Sequence, residues 1–539
     1  MRFRTGVLWW GLFAAAGSAQ AFDDARTLAG TVFEDRDSDG RQGRSEPGIA
    51  GVALSNGRTL AITDARGRYR LPVLPGQTAF AIKPAGWQLP AVDPARPGAW
   101  RHGPAAASKT TSPGLKYGGI PAAPWSGRFD IALRRAPAGD GWLEVRVFAD
   151  PQVKSLADID YYARDIVDSV LAQAAMGPHR PALGLSLGDV VDDTLDLYPA
   201  LNAQTRRIGV PWLHVAGNHD IDKDAGRDED ALQTFRNTFG PDTFAWEEHE
   251  ATFIGFDDVI ALPGQSPAYI GGLREDQFAF LEAYLPRVPK DRLLVLAMHI
   301  PLFEPDGRDT FRDADRARLF ALLRDSPKVL ILSGHSHSQQ HWMHGARTGW
   351  QGAAPLHEYN VGAACGAYWG GVKDAAGIPD TTMSDGTPNG YASLGIDRDG
   401  RYVLGWHPAR DPQDSQIGLY APKVLREGAY PAYGVYANVY MGRDDTRVEF
   451  RIDDREWAPM RRTVAPDPRL LRENLLDDDA DALRGYDRSP EATDSSHLWR
   501  GTLPTGLAAG AHRIEVRAFD AWRGEVRAHR EYRLQNPEH

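Results

Sequence analysis

Five apolar runs in the middle of the chain stop abruptly at polar side chains. Leu143, Val145 and Val147 alternate toward Asp150-Pro151-Gln152. Leu183-Gly184-Leu185-Ser186-Leu187 runs into Gly188-Asp189-Val190-Val191-Asp192-Asp193, and residues 210–216 run into Gly217-Asn218-His219-Asp220. Residues 293–298 end in His299, and Lys328-Val329-Leu330-Ile331-Leu332 ends in Ser333-Gly334-His335-Ser336-His337. Short apolar runs bounded by turn residues read as buried strands. Between them, apolar residues recur at helical spacing: Ile159, Tyr162, Ile166, Val170 and Ala174; Leu197, Leu201 and Ile208; Phe278, Leu281 and Leu285; Ala317, Phe320 and Leu323. Strands alternating with helices predict an α/β sheet with polar groups gathered at one rim. His335 and His337 are two positions apart, and on extended backbone they point to one side, each offering a nitrogen to a neighbouring metal. The same spacing relates Asp150 to Gln152, with Pro151 pushing Asp150 out of the helical region.

The flanks follow a different pattern. Residues 28–135 read as a β-rich module, in which Thr31-Val32-Phe33 and residues 49–54 behave as strands, and residues 91–126 as a Pro-, Ala- and Gly-rich irregular segment. Inside the module, Asp35, Asp37, Asp39 and Glu46 have the spacing of a calcium loop, although no amphipathic helix flanks them. The stretch through Thr63-Asp64-Ala65-Arg66-Gly67 resembles prealbumin-like β-sandwiches. Beyond the central region, Tyr433, Val435, Ala437 and Val439 alternate, as do Val448, Phe450 and Ile452, and His512, Ile514, Val516 and Ala518. These predict a second β-sandwich, Ig- or fibronectin-like in resemblance, placed in the carboxy-terminal span 366–535. The acidic run Asp477-Asp478-Asp479-Ala480-Asp481 reads as a solvated loop.

Composition narrows the setting. A chain of 539 residues with 42% hydrophobic content supports two to four domains, and a net charge of −11 argues against a nucleic-acid-binding surface. Arg2 and Arg4 precede an apolar run at Val7-Leu8-Trp9-Trp10, and Ala19-Gln20-Ala21 offers small residues for cleavage. Residues 1–21 are therefore expected to be a signal peptide, too short in its apolar part for a membrane anchor, with no transmembrane segment after its removal. Cys365 is the one cysteine in the sequence, which excludes an intramolecular disulfide. Export without disulfides suits a periplasmic or secreted protein.

The ordered blocks D-x-Q, G-D-x-x-D, G-N-H-D, H and G-H-x-H over residues 142–365 resemble the calcineurin-like metallophosphoesterases. The resemblance implies an α/β four-layer metallophosphoesterase sandwich, here with flanking all-β domains. It implies that Asp189 bridges two metals, with Asp150, Gln152 and His337 on one and Asn218, His299 and His335 on the other. A nitrogen and oxygen donor set without thiolate suits Fe, Mn or Zn. A hydroxide between the ions would attack phosphorus, His219 would protonate the leaving oxygen or stabilise equatorial charge, and Asp220 would orient His219. Asp192 is expected to brace its loop. Gln152 departs from the commoner D-x-H and is expected to weaken the first site or turn its preference toward Mn or Fe over Zn. The implied function is hydrolysis of a small-molecule or macromolecular phosphate monoester. The alternatives are a phosphodiesterase or pyrophosphatase acting on a nucleotide or sugar diphosphate, and an inert cell-envelope binding protein. Tyr368, Trp369 and Asn389, on a turn-rich stretch after the last motif, are expected to contact substrate. His214 and Cys365 are expected in the core, whereas His341, His344 and His357 are expected to line the pocket or face solvent, His344 the latter.

Overall fold

The computed structural model describes residues 25–90, 98–104, 114–137, 139–176, 179–304, 307–308, 310–485 and 487–536. The segment 1–21 and parts of 91–126 lie outside the described residues. Among the described residues, no helix is long and apolar enough to cross a membrane.

The apolar runs form two sheets that share one hydrophobic core. The first has the order Trp212–Val215, Leu183–Leu187, Trp142–Phe148, Gly390–Asp397, Tyr402–Pro408. The second has the order Thr243–Glu247, Ala251–Phe256, Leu293–Ala297, Val329–Ser333, Leu356–Asn360, Gln340–His344. In both, the motif-bearing strands run parallel and antiparallel strands close the edges. Every residue of Leu183–Leu187 and Leu293–Ala297 is buried, because crossover helices leave a parallel sheet no face in water. Those helices are the outer layers of a four-layer α/β sandwich: Leu156–Met176 and Tyr198–Thr205 by the first sheet, Glu275–Tyr284 and Asp313–Leu323 by the second. The helix capped by Ser155 passes through a wider π-helical turn, Ala163–Val167, which buries Asp165. On the last helix the buried face is Leu319, Phe320 and Leu323; Ala317, expected on it, is exposed.

One boundary differs from expectation. Gly390–Asp397 pairs antiparallel with Trp142–Phe148, so the first sheet takes two strands from beyond residue 365. The alternation of these strands looks the same whether they close an α/β sheet or begin a sandwich, so periodicity did not separate the two. The carboxy-terminal sandwich begins with Ile417–Tyr420, and its two sheets enclose Val435, Ala437, Val439, Val448, Phe450, Ile452, Ile514, Val516 and Ala518. The acidic run starts in the helix Pro468–Asp478, which ends with Asp477 and Asp478, and Arg484 pairs with Asp477 at 3.1 Å; Asp479 to Asp481 follow in the turn beyond.

The amino-terminal module is a sandwich of two four-stranded sheets. Part of the segment read as irregular is a strand, Trp100–His102, paired with Thr78–Ala81. The module is docked on the two α/β sheets. Phe80, Ile82 and Leu115 belong to their core, and buried Lys83 pairs with Glu248 at 2.5 Å while donating to the Glu247 carbonyl at 2.8 Å.

Candidate metal centre

All five strand ends open on one rim, and there the backbone turns sharply. Asp150, Gln152, Asp189, His335 and His337 have φ of 48°, 40°, 46°, 72° and 47°. The extended geometry expected for the Asp150/Gln152 and His335/His337 pairs is therefore absent. Left-handed backbone outside glycine is costly, and its concentration here marks a site whose surroundings hold it in place. Glycines admit the side chains that meet there. A Cβ on Gly217 would lie 2.2 Å from Asp189 Oδ1, and one on Gly334 would lie 2.7 Å from Asp150 Oδ2. The glycines of the G-N-H-D and G-H-x-H motifs thus leave room for carboxylates from neighbouring strands.

The donors converge as follows. His299 is fully buried and donates from Nδ1 to the Leu187 carbonyl at 2.9 Å, which turns the Nε2 lone pair inward. That Nε2 faces Asn218 Oδ1 at 3.0 Å, His335 Nδ1 at 3.1 Å and Asp189 Oδ1 at 3.4 Å. His337 is oriented the same way: Nδ1 donates to the Ala367 carbonyl at 2.9 Å and Nε2 lies 3.5 Å from Asp150 Oδ1. Asp150 accepts the His335 N–H at 3.0 Å, and Gln152 N donates to the Asp189 carbonyl at 2.8 Å. The Gln152 amide oxygen and His337 Nδ1 both lie 3.8 Å from Cys365 Sγ, which is buried as expected but borders the centre.

This crowd of lone pairs fits cations. One ligand atom each from Asp189, His299 and His335 lies within 4.8 Å of the others, with Asn218 Oδ1 beside them and Asp150, His337 and Gln152 adjoining. Without a cation a proton relieves the repulsion. Burial opposes charge on His299, yet Asp189 and Asp150 raise its imidazole to about 10, while burial and the His299 charge push His335 down to about 3. Replacing a proton with a divalent ion satisfies the same oxygens and nitrogens at once.

His219 sits at the edge of this group, with its side chain 27% exposed. Its Nδ1 contacts Asp193 Oδ1 at 2.7 Å and Asp192 Oδ1 at 2.9 Å, and its backbone N–H donates to Asp189 Oδ1 at 2.8 Å. Burial opposes charge on this imidazole, but hydrogen bonds to the two carboxylates raise it to about 10. Asp220, expected to orient His219, does another task. Its carboxylate accepts from Gly217 N, Val190 N and Tyr198 Oη at 2.9, 3.1 and 2.9 Å, tying the G-D and G-N-H-D loops together. Asp192 and Asp193 orient the imidazole instead, because the Asp193 turn (φ 59°) brings both to it.

Of the three expected substrate contacts, Asn389 and Trp369 are buried away from the rim, and Tyr368 is half-buried. Asn389 is 1% exposed, and its amide N–H donates to Asp165 and the Ala364 carbonyl. Trp369 is 2% exposed and donates from Nε1 to the Pro151 carbonyl at 2.8 Å, bracing the D-x-Q loop from behind. Tyr368 Oη donates to the Arg488 carbonyl. Aromatic and amide groups near a motif serve equally to pin a loop, as Trp369 and Asn389 do here. His341, His344 and His357 are buried, neither facing solvent nor lining the rim: His344 Nε2 meets Glu358 at 2.7 Å, and His341 meets His357 at 3.0 Å. His214 is in the core, its ring 4.1 Å from that of Phe239.

Two contributors escaped the sequence reading. Glu304 is buried, accepts from Ser336 Oγ at 2.7 Å and lies 3.6 Å from His335 Nε2. Asp258 accepts the His299 N–H at 2.9 Å. Neither stands in a motif, and only the fold brings them near.

Residues 145–339 match the family described as Calcineurin-like phosphoesterase, and residues 358–525 match its companion, C terminal of Calcineurin-like phosphoesterase. A curated relative from Arcobacter nitrofigilis, "Probable glycerophosphodiester phosphodiesterase GpdQ", is 27% identical over 197 residues, which are 35% of this chain and 70% of that protein. Among solved structures, purple acid phosphatase PPD1 from yellow lupin seeds aligns over 72% of this chain and 68% of its own, with 11% identity and a TM-score of 0.37. A metallophosphoesterase from Sphaerobacter thermophilus aligns over 50% and 90%, with 14% identity and a TM-score of 0.23.

Proposed function

Because the chain belongs to the calcineurin-like metallophosphoesterases, and is thus a metal-dependent phosphoric ester hydrolase rather than an inert binding module, we propose that it cleaves a phosphate monoester outside the cytoplasm. The observation that carries the reading is His219: two carboxylates hold its Nδ1, so Nε2 is the nitrogen free to act beside the donor cluster. Nε2 gives its proton to the leaving oxygen, and the resulting imidazole stays oriented by Asp192 and Asp193. Two cations, of Fe, Mn or Zn, would be held here, one by Asp150, Gln152 and His337 and the other by Asn218, His299 and His335, with Asp189 available to both. When bound, such ions polarise the phosphoryl oxygens and acidify a water for attack. The buried Asp258 and Glu304 keep His299 and His335 in place. The Arg2/Arg4 and Ala19-Gln20-Ala21 signals support export, and a calcium ion in the Asp35–Glu46 loop is part of the same reading.

A phosphodiester is the second reading, and the printed name of the Arcobacter relative favours it. An assay of an aryl phosphate against a bis-aryl phosphate, with Mn, Fe and Zn supplied in turn, separates the two. Faster release from the monoester supports the proposal, and preference for the diester replaces it. Signal processing is checked by fractionation and the mature amino terminus; an uncleaved cytoplasmic chain refutes export.

A further inference from the structure

The amino-terminal module reaches the active-site rim. Its segment 114–120 leaves the β-sandwich and lies against the catalytic domain, where Leu115 enters the shared core and Tyr117 packs on it. Lys116 N donates to Asp224 at 2.8 Å, and Gly119 N donates to Thr234 Oγ1 at 3.2 Å. Between these anchors, Tyr117 Oη donates to the Asp193 carbonyl at 2.9 Å. Asp193 is itself held at every polar atom. Its N–H donates to the His219 carbonyl at 3.2 Å, its Oδ1 meets His219 Nδ1 at 2.7 Å, and its Oδ2 accepts from Lys223. Its left-handed backbone (φ 59°) is uncommon outside glycine, though aspartate tolerates it better than most residues, and these contacts hold it there.

We propose that Tyr117 is a positioning residue for hydrolysis, through which the amino-terminal module fixes the Asp193 turn and thereby the direction of His219 Nε2. The module is then part of the active site's outer wall, and the inference rests on the role given to His219. Without the Tyr117 hydroxyl the Asp193 carbonyl loses this donor, the turn gains freedom, and the imidazole is aimed less well. Substrate binding to the donor cluster does not pass through this chain of contacts, so the loss belongs in kcat and not in KM.

The test compares Tyr117→Phe, Asp193→Asn, the double variant and His219→Ala in the full chain, using phosphate esters whose leaving groups range from nitrophenol to alkyl alcohols. A misdirected proton donor hurts poor leaving groups most. Tyr117→Phe should keep its metal content and KM and lose about tenfold in kcat on an alkyl ester, with little loss on the nitrophenyl ester. The double variant should be no worse than Asp193→Asn alone. A uniform loss across leaving groups, no loss, a change confined to KM, or additive effects of Tyr117→Phe and Asp193→Asn would each overturn the inference. If His219→Ala itself shows no leaving-group dependence, the role of His219 fails and takes this inference with it. If only Tyr117→Phe is flat, the inference alone fails.

Discussion

At the scale of single residues, Asp189 is the group on which the centre turns, since both candidate ligand sets adjoin it. Asp189→Asn removes the negative charge that both ion sites would share while leaving the side chain's shape and the close approach over Gly217 intact. Metal content and turnover should fall together, turnover by about 10²–10³-fold; metal analysis with a rate measurement checks this, and full retention of both sinks the assignment. Gln152 is the departure from the commoner pattern. Gln152→His should bind its ion more tightly and shift preference toward Zn, read by competitive metal titration; if Gln152→His and Gln152→Ala both leave affinity unchanged, Gln152 is not a ligand. The chemistry at these positions was legible because each motif names a residue type at a strand end. The reason the side chains converge was not. His335 and His337 meet the other donors through left-handed turns, which spacing along the chain does not reveal. Asp193 was visible as a second acid beside Asp192, but only the turn shows that both face His219.

At the scale of elements, the loop between Val361 and Gly390 runs from the second sheet to the first and touches the carboxy-terminal sandwich on the way. Asp385 accepts from Gln339 N at 2.8 Å, near the His337 turn, and from His497 Nε2 at 3.1 Å on the sandwich. Asp385→Ala leaves these donors buried without an acceptor and should cost about 3 kcal/mol, seen as a lower melting temperature. Burial works against the Asp385 charge, but His497 and the backbone N–H groups hold its carboxyl below the usual range. A depressed carboxylate contributes stability above its ordinary value, near 3.8, and loses it as pH falls through the folded value. The gap between wild type and variant should therefore close in acid below about pH 4 and be constant above; a gap that widens in acid contradicts the sign. In the amino-terminal module, Asp35, Asp37, Asp39 and Glu46 each bring an oxygen within 4.8 Å of the others. If calcium binds there, EGTA should lower the melting temperature of the full chain and calcium restore it; identical melting curves reduce the spacing to coincidence. Element types in the catalytic region followed from the apolar runs, because buried parallel strands have no polar face to blur the pattern. The assignment of 390–408 did not, because antiparallel alternation is common to sheet edges and sandwiches.

At the scale of the whole molecule, the three folded parts are one packed body around the rim. Lys83 locks the first to the second, and Asp385 and His497 lock the second to the third. A chain cut after residue 365 keeps every motif of the metal centre but loses the strand that pairs with Trp142–Phe148. It should purify without metal and without activity, and bound metal in such a fragment would contradict the account. The same pairing sets a schedule. The strand leading to Asp150 emerges from the ribosome about 240 residues ahead of its antiparallel partner Gly390–Asp397, a wait of roughly 12–50 seconds at ordinary rates of translation. During that interval the sheet has an open edge beside its most important loop. Catalytic competence is thus a late event in the making of each copy, and a half-synthesised chain, however complete its motifs, is not yet a hydrolase.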